Sequence, residues 1–134
     1  MKRVLIVDDV AEIRRLVRLG VGNHHVYESA SAEDALNLLA DLNGVDLIVL
    51  DIMLSGASDG LALLAAVRAH PQWSATKVVM LTARGLAEDR SASIALGADA
   101  YFTKPFSPIR LCDCIDELLG TCQITAQVPH RFDS

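Results

Sequence analysis

A doubly wound α/β sandwich, five parallel strands between two layers of helices, is the fold class that the sequence predicts, on three observations. Four apolar runs each stop on a polar residue: Val4–Val7 on Asp8-Asp9, Leu47–Leu50 on Asp51, Val78–Leu81 on Thr82, and Ala100–Thr103 on Lys104. Short β-branched runs of this kind read as strands buried on both faces. Strand and helix signals then alternate along the whole chain, and right-handed crossovers turn such a series into a parallel sheet covered on both sides. Finally, 51% of the residues are hydrophobic but only 4% are aromatic, which suits the aliphatic core of a parallel sheet.

The elements follow in order. Val4–Val7 is a first strand, and Val10–Leu19 a helix with Ile13, Leu16, Val17 and Gly20 facing inward, Arg14, Arg15 and Arg18 facing out, and Gly20 and Gly22 as its stop. Val26–Glu28 is a short second strand. Ser31 caps a helix whose buried face is Ala35, Leu36, Leu38, Leu39 and Leu42, closed by Asn43-Gly44. The Leu47–Leu50 strand leads through Ser55–Gly60, a loop rich in turn formers, into a helix over Leu61–Ala69 that His70-Pro71 ends. A loop carrying Trp73 precedes the Val78–Leu81 strand. Glu88-Asp89-Arg90 begins the next helix, with acidic residues where the helix dipole favours them, and Gly97 is its left-handed cap. After Ala100–Thr103, Ser107-Pro108 starts the last helix, Ile109–Leu119. One domain over residues 1–120 and a short tail, 121–134, are therefore expected.

Composition removes several classes of function. A formal net charge of -5 speaks against direct nucleic-acid binding and against anionic membranes, since both need surplus Lys and Arg. No apolar run approaches the ~20 residues that span a bilayer, and the start of the chain breaks at Asp8-Asp9 too early for a signal peptide. A cytoplasmic protein without membrane insertion is expected. Cys112, Cys114 and Cys122 lack metal-binding spacing, and His24, His25, His70 and His130 are scattered.

Ligands of open α/β sheets bind beyond the carboxyl ends of the strands. Were the four runs neighbours, Asp8, Asp9, Asp51, Thr82 and Lys104 would converge on one site made of three carboxylates, a hydroxyl and an ammonium. Clustered carboxylates repel unless a cation lies among them, and Mg²⁺ suits a site that also receives phosphate oxygens. A carboxylate can itself be the nucleophile and form an acyl phosphate. Asp51 is the best candidate, standing alone on a central strand opposite the acidic pair. The blander reading is that Asp8 or Asp9 merely caps the first helix, which is commoner for any single Asp.

The motifs Val7-Asp8-Asp9, Leu50-Asp51-Ile52-Met53-Leu54, Leu81-Thr82-Ala83 and Tyr101-Phe102-Thr103-Lys104-Pro105-Phe106, in this order and on these strand ends, resemble the receiver domains of two-component response regulators, over roughly residues 2–120. The resemblance is to single-domain, chemotaxis-type members. It implies a flavodoxin-like sheet of order 2-1-3-4-5 with five helices, and a phosphoryl group accepted on Asp51 from a histidine kinase or phosphotransfer protein. Asp9 would ligate Mg²⁺ directly, Asp8 mostly through water, and Met53 through its backbone carbonyl. Thr82 and Lys104 would hold phosphoryl oxygens, small Ala83 would leave them room, and Lys104-Pro105 would be cis. Thr82 and Tyr101 would form the switch that alters a protein-binding surface on the last two helices and the strand between them. Met53 and Arg84 flank the path of attacking water and would tune the phosphoryl lifetime.

Two departures stand out. The family often has Pro four residues after the acceptor and Gly eight after, where this chain has Ser55 and, nine after, Gly60. Many dimerising members carry an acid where Ala100 stands, so a monomer or weak dimer is expected. The module would catalyse only its own phosphoryl transfer and autodephosphorylation. The runner-up is an N-terminal receiver fragment of a larger regulator with a DNA-binding or enzymatic output. An aspartate-dependent phosphatase is disfavoured because Met53 stands where such enzymes place a second, proton-donating Asp. A receiver reduced to a binding scaffold would not need the full acidic, hydroxyl and lysine set.

Overall fold

The computed structural model describes residues 2–54, 59–83 and 85–120. Strands β1 (Arg3–Val7), β2 (His25–Ser29), β3 (Leu47–Leu50), β4 (Lys77–Thr82) and β5 (Ala100–Thr103) alternate with helices α1 (Ala11–Val21), α2 (Ala32–Leu42), α3 (Gly60–Ala69), α4 (Ala87–Ala95) and α5 (Pro108–Leu119). All neighbouring strands are parallel, in the order β2-β1-β3-β4-β5. This is the flavodoxin-like sheet that the resemblance implied.

Side chains of a strand alternate between faces, and the core divides accordingly. Leu5, Val7, Ile48, Leu50, Val78, Met80 and Tyr101 pack with Leu39 of α2 and Leu63, Leu64 and Val67 of α3. Val4, Ile6, Leu47, Val49, Val79, Leu81 and Phe102 pack on the other face with Val17 and Val21 of α1 and Leu111 and Ile115 of α5. The central strands are apolar on both faces, which is why periodicity alone marks them poorly and their polar terminators mark them well.

The local signals mostly act as expected. The Ser31 hydroxyl accepts from the Asp34 amide at 3.1 Å, Pro108 occupies the first turn of α5, and Gly97 follows α4 at φ 97°. Helix α1 departs from expectation. It runs through Gly20 to Val21 before Gly22, at φ 80°, ends it, and a Cβ on Gly20 would make only ordinary contact with α5, 3.5 Å from the Pro108 carbonyl oxygen. Its buried residues are Val17 and Val21, with Ile13 partly buried, whereas Leu16 is exposed. The inward stripe therefore lies further round the helix than the Leu16 reading placed it. Ser55, Arg84 and the 121–134 tail lie outside the described residues.

Candidate functional site

The sheet register brings the strand ends together. Val7 pairs with Leu50 and Leu50 with Met80, so the residues after β1 and β3 are neighbours, and the Asp51 amide donates to the Val7 carbonyl at 3.0 Å. On the far side Thr82 pairs with Thr103, and the Lys104 amide donates to the Thr82 carbonyl at 2.8 Å. One carboxylate oxygen from each of Asp8, Asp9 and Asp51 lies within 4.8 Å of the others. Asp8 and Asp51 are buried and Asp9 is exposed.

Lys104 closes the site. Its Nζ donates to Asp8 Oδ2 at 2.7 Å and to Asp51 Oδ2 at 2.9 Å. The side chains of the two acids are only 4% and 6% exposed. Burial would pull the ammonium pKa down, but the hydrogen bonds to Asp8 and Asp51 outweigh it and hold the pKa above its ordinary value. The same bridge does not win for Asp8. Burial pushes its carboxyl up, against Lys104 and the Val10 amide, with the negative charge of Asp51 adding to the rise.

The remaining Asp8 oxygen, Oδ1, accepts from the Val10 amide at 2.9 Å, an Asx-type turn that leads into α1. Asp8 therefore does not cap the helix, whose N-cap position is Val10 without a side-chain cap bond; one Asp8 oxygen serves this turn and the other meets Lys104. Asp51 behaves similarly, its Oδ1 accepting from the Met53 amide at 3.0 Å. The Met53 side chain is half exposed beside it. Thr82 is fully buried at the end of β4, and Tyr101 is fully buried within β5, packed in the core rather than projecting a surface hydroxyl. Ala100 is also fully buried, against the α5 side. The Lys104–Pro105 peptide is cis.

Whether a divalent cation suits this site follows from its donors. Three carboxylates against one ammonium leave two net negative charges among hard oxygen ligands, the ligand type that Mg²⁺ prefers. The residues fit.

Two features of the site escaped the sequence. Arg14, expected to face solvent, reaches back over the first turn of α1, and its Nη1 donates to the Asp8 carbonyl at 2.7 Å. It also pairs with Glu28 of β2 at 2.9 Å. Burial would raise the Glu28 carboxyl, but hydrogen bonds from Arg18 and Arg14 overcome it and hold the pKa below its ordinary value. An arginine one turn into the helix that follows Asp8-Asp9 was the available signal, but its acidic partner is distant in sequence. The second feature is Gly60. It opens α3 with its amide donating to the Ile52 carbonyl at 2.8 Å, and a Cβ there would fall 2.0 Å from the Asp51 carbonyl oxygen. The glycine that looked displaced by one position is the one required for α3 to start against Asp51.

Comparison with known proteins gives a consistent result. A family model described as the response regulator receiver domain matches residues 4–116. The phosphate regulon transcriptional regulatory protein PhoB of Klebsiella pneumoniae is 42% identical over 112 residues, 82% of this chain and 48% of the relative. The regulatory protein VanR of Enterococcus faecium is 38% identical over 111 residues, 81% of this chain and 46% of the relative. The chain thus spans about half the length of the curated relatives it matches. Among solved structures, the BeF3-activated DrrB receiver domain superposes with a TM-score of 0.81 at 28% identity, covering 90% of this chain and 98% of that one. The chemotaxis response regulator CheY4 of Vibrio cholerae superposes at 0.78 with 29% identity, covering 88% and 98%.

Proposed function

The chain belongs to the response regulator receiver family, the phosphorylation-controlled signalling modules of two-component systems, and we propose that Asp51 is its phosphoacceptor. The observation that carries this reading is the convergence of Asp8, Asp9 and Asp51, with Lys104 bridging the two buried acids.

Receiver domains interact with histidine kinases or phosphotransfer proteins, and the donor proposed here is a phosphohistidine of such a partner. A carboxylate oxygen of Asp51 attacks the phosphorus, an O–P bond forms, and the N–P bond breaks with its electron pair leaving on the imidazole. Asp9, Asp8, Asp51 and the Met53 backbone carbonyl would hold Mg²⁺. When bound, the ion neutralises charge on the transferring phosphoryl oxygens. Lys104 exchanges its bond to Asp51 for one to a phosphoryl oxygen, and the Thr82 hydroxyl donates to another. Such transfer is mainly positioning and charge stabilisation, which five groups fixed on rigid strand ends supply. Hydrolysis of the acyl phosphate by water, beside the half-exposed Met53, resets the module.

The signal leaves through Thr82 and Tyr101. Drawing Thr82 toward the phosphoryl group favours one packing of Tyr101 over another, which shifts a two-state surface formed by α4, β5 and α5. The partner of that surface is a protein, in a cytoplasmic setting where ATP-dependent kinases act. No helix among the described residues is long and apolar enough to cross a membrane. A second reading is that this receiver controls an output domain in a longer regulator, since the relatives are about twice the matched length.

Incubation with Mg²⁺ and acetyl phosphate should add one phosphoryl group to the wild-type chain, read by intact mass. Asp51→Asn should stay unlabelled, and equal labelling of that variant would remove Asp51 from its role.

A further inference from the structure

Arg14 does more than decorate α1. Asp8 is held through both of its backbone groups, and both holds end on the same stretch of β2. The Asp8 amide donates to the Ser29 carbonyl at 3.1 Å. The Asp8 carbonyl accepts from Arg14 Nη1 at 2.7 Å. Arg14 is in turn fixed by Glu28, the residue before Ser29, whose Oε1 accepts from its Nε at 2.9 Å. Arg18, one turn further along α1, holds the other oxygen of Glu28 at 2.7 Å. A peptide unit is planar, so the direction of the Asp8 carbonyl fixes where the Asp9 backbone begins. The exposed Asp9 side chain takes its position from that plane.

We infer that Arg14, anchored by Glu28, is a positioning residue for the Asp8-Asp9 metal pair. The inference rests on the Mg²⁺ reading given above. Arg14 touches no reacting atom. It acts through the backbone of Asp8, as the outer partners of metal ligands commonly do, and loss of such partners typically weakens metal binding about 10-fold or more. The guanidinium suits the task because one planar fork serves a carbonyl and a carboxylate together.

Electrostatics gives the opposite sign, which makes the role testable. Arg14 is a cation beside a cation site, so a role through charge alone means that removing it tightens Mg²⁺ binding. A positioning role means that removing it loosens binding. Arg14→Met keeps the aliphatic stem, Arg14→Lys keeps the charge on a single donor nitrogen without the planar fork, and Arg18→Met removes a neighbouring charge while leaving the bond to Asp8 in place.

The experiment is calorimetric titration of Mg²⁺ into each full chain, paired with the Mg²⁺-induced rise in melting temperature. The expected order is wild type tightest, Arg14→Lys intermediate and Arg14→Met weakest, by about 10-fold or more. Arg18→Met should match the wild type or bind slightly tighter. Labelling of Arg14→Met by acetyl phosphate should recover at saturating Mg²⁺. Binding by Arg14→Met as tight as wild type, an equal loss in Arg18→Met, or labelling that stays depressed at saturating Mg²⁺ would each overturn the role. Should Arg14→Met fail to fold, Arg14→Lys and Glu28→Gln carry the same comparison, and wild-type affinity in both overturns it. A wild-type chain that binds no Mg²⁺ overturns the metal reading itself, an outcome distinct from any difference among the variants.

Discussion

At the scale of single residues, Lys104 bridges two buried acids, and for one of them, Asp8, burial still outweighs the bridge. One ammonium, 13% exposed, is shared between carboxylates at 2.7 and 2.9 Å, and the Asp8 pKa still rises through burial. A raised carboxyl pKa means that the metal-free fold holds a proton on Asp8 at pH values where the unfolded chain, near 3.8, has released it. That contribution to stability is fully present below 3.8 and is lost as pH rises through the folded value. At neutral pH the metal-free protein therefore carries a cost that a neutral side chain lacks. Asp8→Asn should raise metal-free stability at pH 7 by about 1 kcal/mol in urea unfolding, as relief of a destabilised functional site commonly does. The gain should shrink toward zero as pH falls below 3.8, and added Mg²⁺ should stabilise the wild type more than the variant. A variant less stable than wild type at pH 7 would show that the bond to Lys104 outweighs the desolvation.

At the scale of elements, the junction between β3 and α3 is the tightest piece of the site. Asp51 stands at the end of β3, and α3 begins with Gly60, where a Cβ would lie 2.0 Å from the Asp51 carbonyl oxygen and 2.7 Å from the Ile52 Cα. Both obstacles are backbone, so neither can rotate aside. Gly60→Ala must displace either the start of α3 or Asp51 itself. The expected cost is about 3 kcal/mol, the upper range for overpacking, with slower acetyl-phosphate labelling of the folded fraction because Asp51 has moved. Wild-type stability and labelling in that variant would show that the junction yields freely. This junction also marks where the sequence is legible. The strand ends were readable because apolar runs stop on polar residues, and a parallel sheet necessarily gathers those ends on one edge. Gly60 was not readable as a contact, since counting from Asp51 shows only that the glycine arrives one residue later than the family pattern. Arg14 was hidden for a related reason: helical periodicity marks a residue as outward from the core but does not reveal the β2 edge and the Asp8 carbonyl that meet it there.

At the scale of the whole molecule, the sheet separates a chemical end from a structural end. The carboxyl ends of the strands gather charge, while the opposite ends of β4 and β5 are held by Arg68 of α3. Its Nε and Nη2 donate to the Gly97 carbonyl at 3.0 and 2.7 Å, and its Nη1 reaches the carbonyls of Ser74 and Thr76. Its Nη2 also meets Asp99 Oδ2 at 2.9 Å, and that same oxygen accepts from the Val78 amide at 2.9 Å. One guanidinium thereby joins α3, the approach to β4 and the connection from α4 into β5, satisfying loop carbonyls that no ladder reaches. Arg68→Met keeps the stem but strands those acceptors and leaves Asp99 with a backbone partner alone. The loss should be about 2–3 kcal/mol, given that hydrogen bonds to charged groups are the stronger kind, and a domain of this size has only about 5–15 kcal/mol in total. Because Arg68 shares no partner with Asp8, Asp9, Asp51 or Lys104, the two ends should respond independently. Mg²⁺ affinity and Asp51 labelling of the folded variant should stay within about twofold of wild type, the ordinary limit for distant sites. Urea unfolding and Mg²⁺ titration on the same sample test this together. A change in Mg²⁺ affinity as large as that of Arg14→Met would mean that the far end of the sheet is coupled to the acidic site. The carboxyl edge would then not be the self-contained unit that its hydrogen bonds describe.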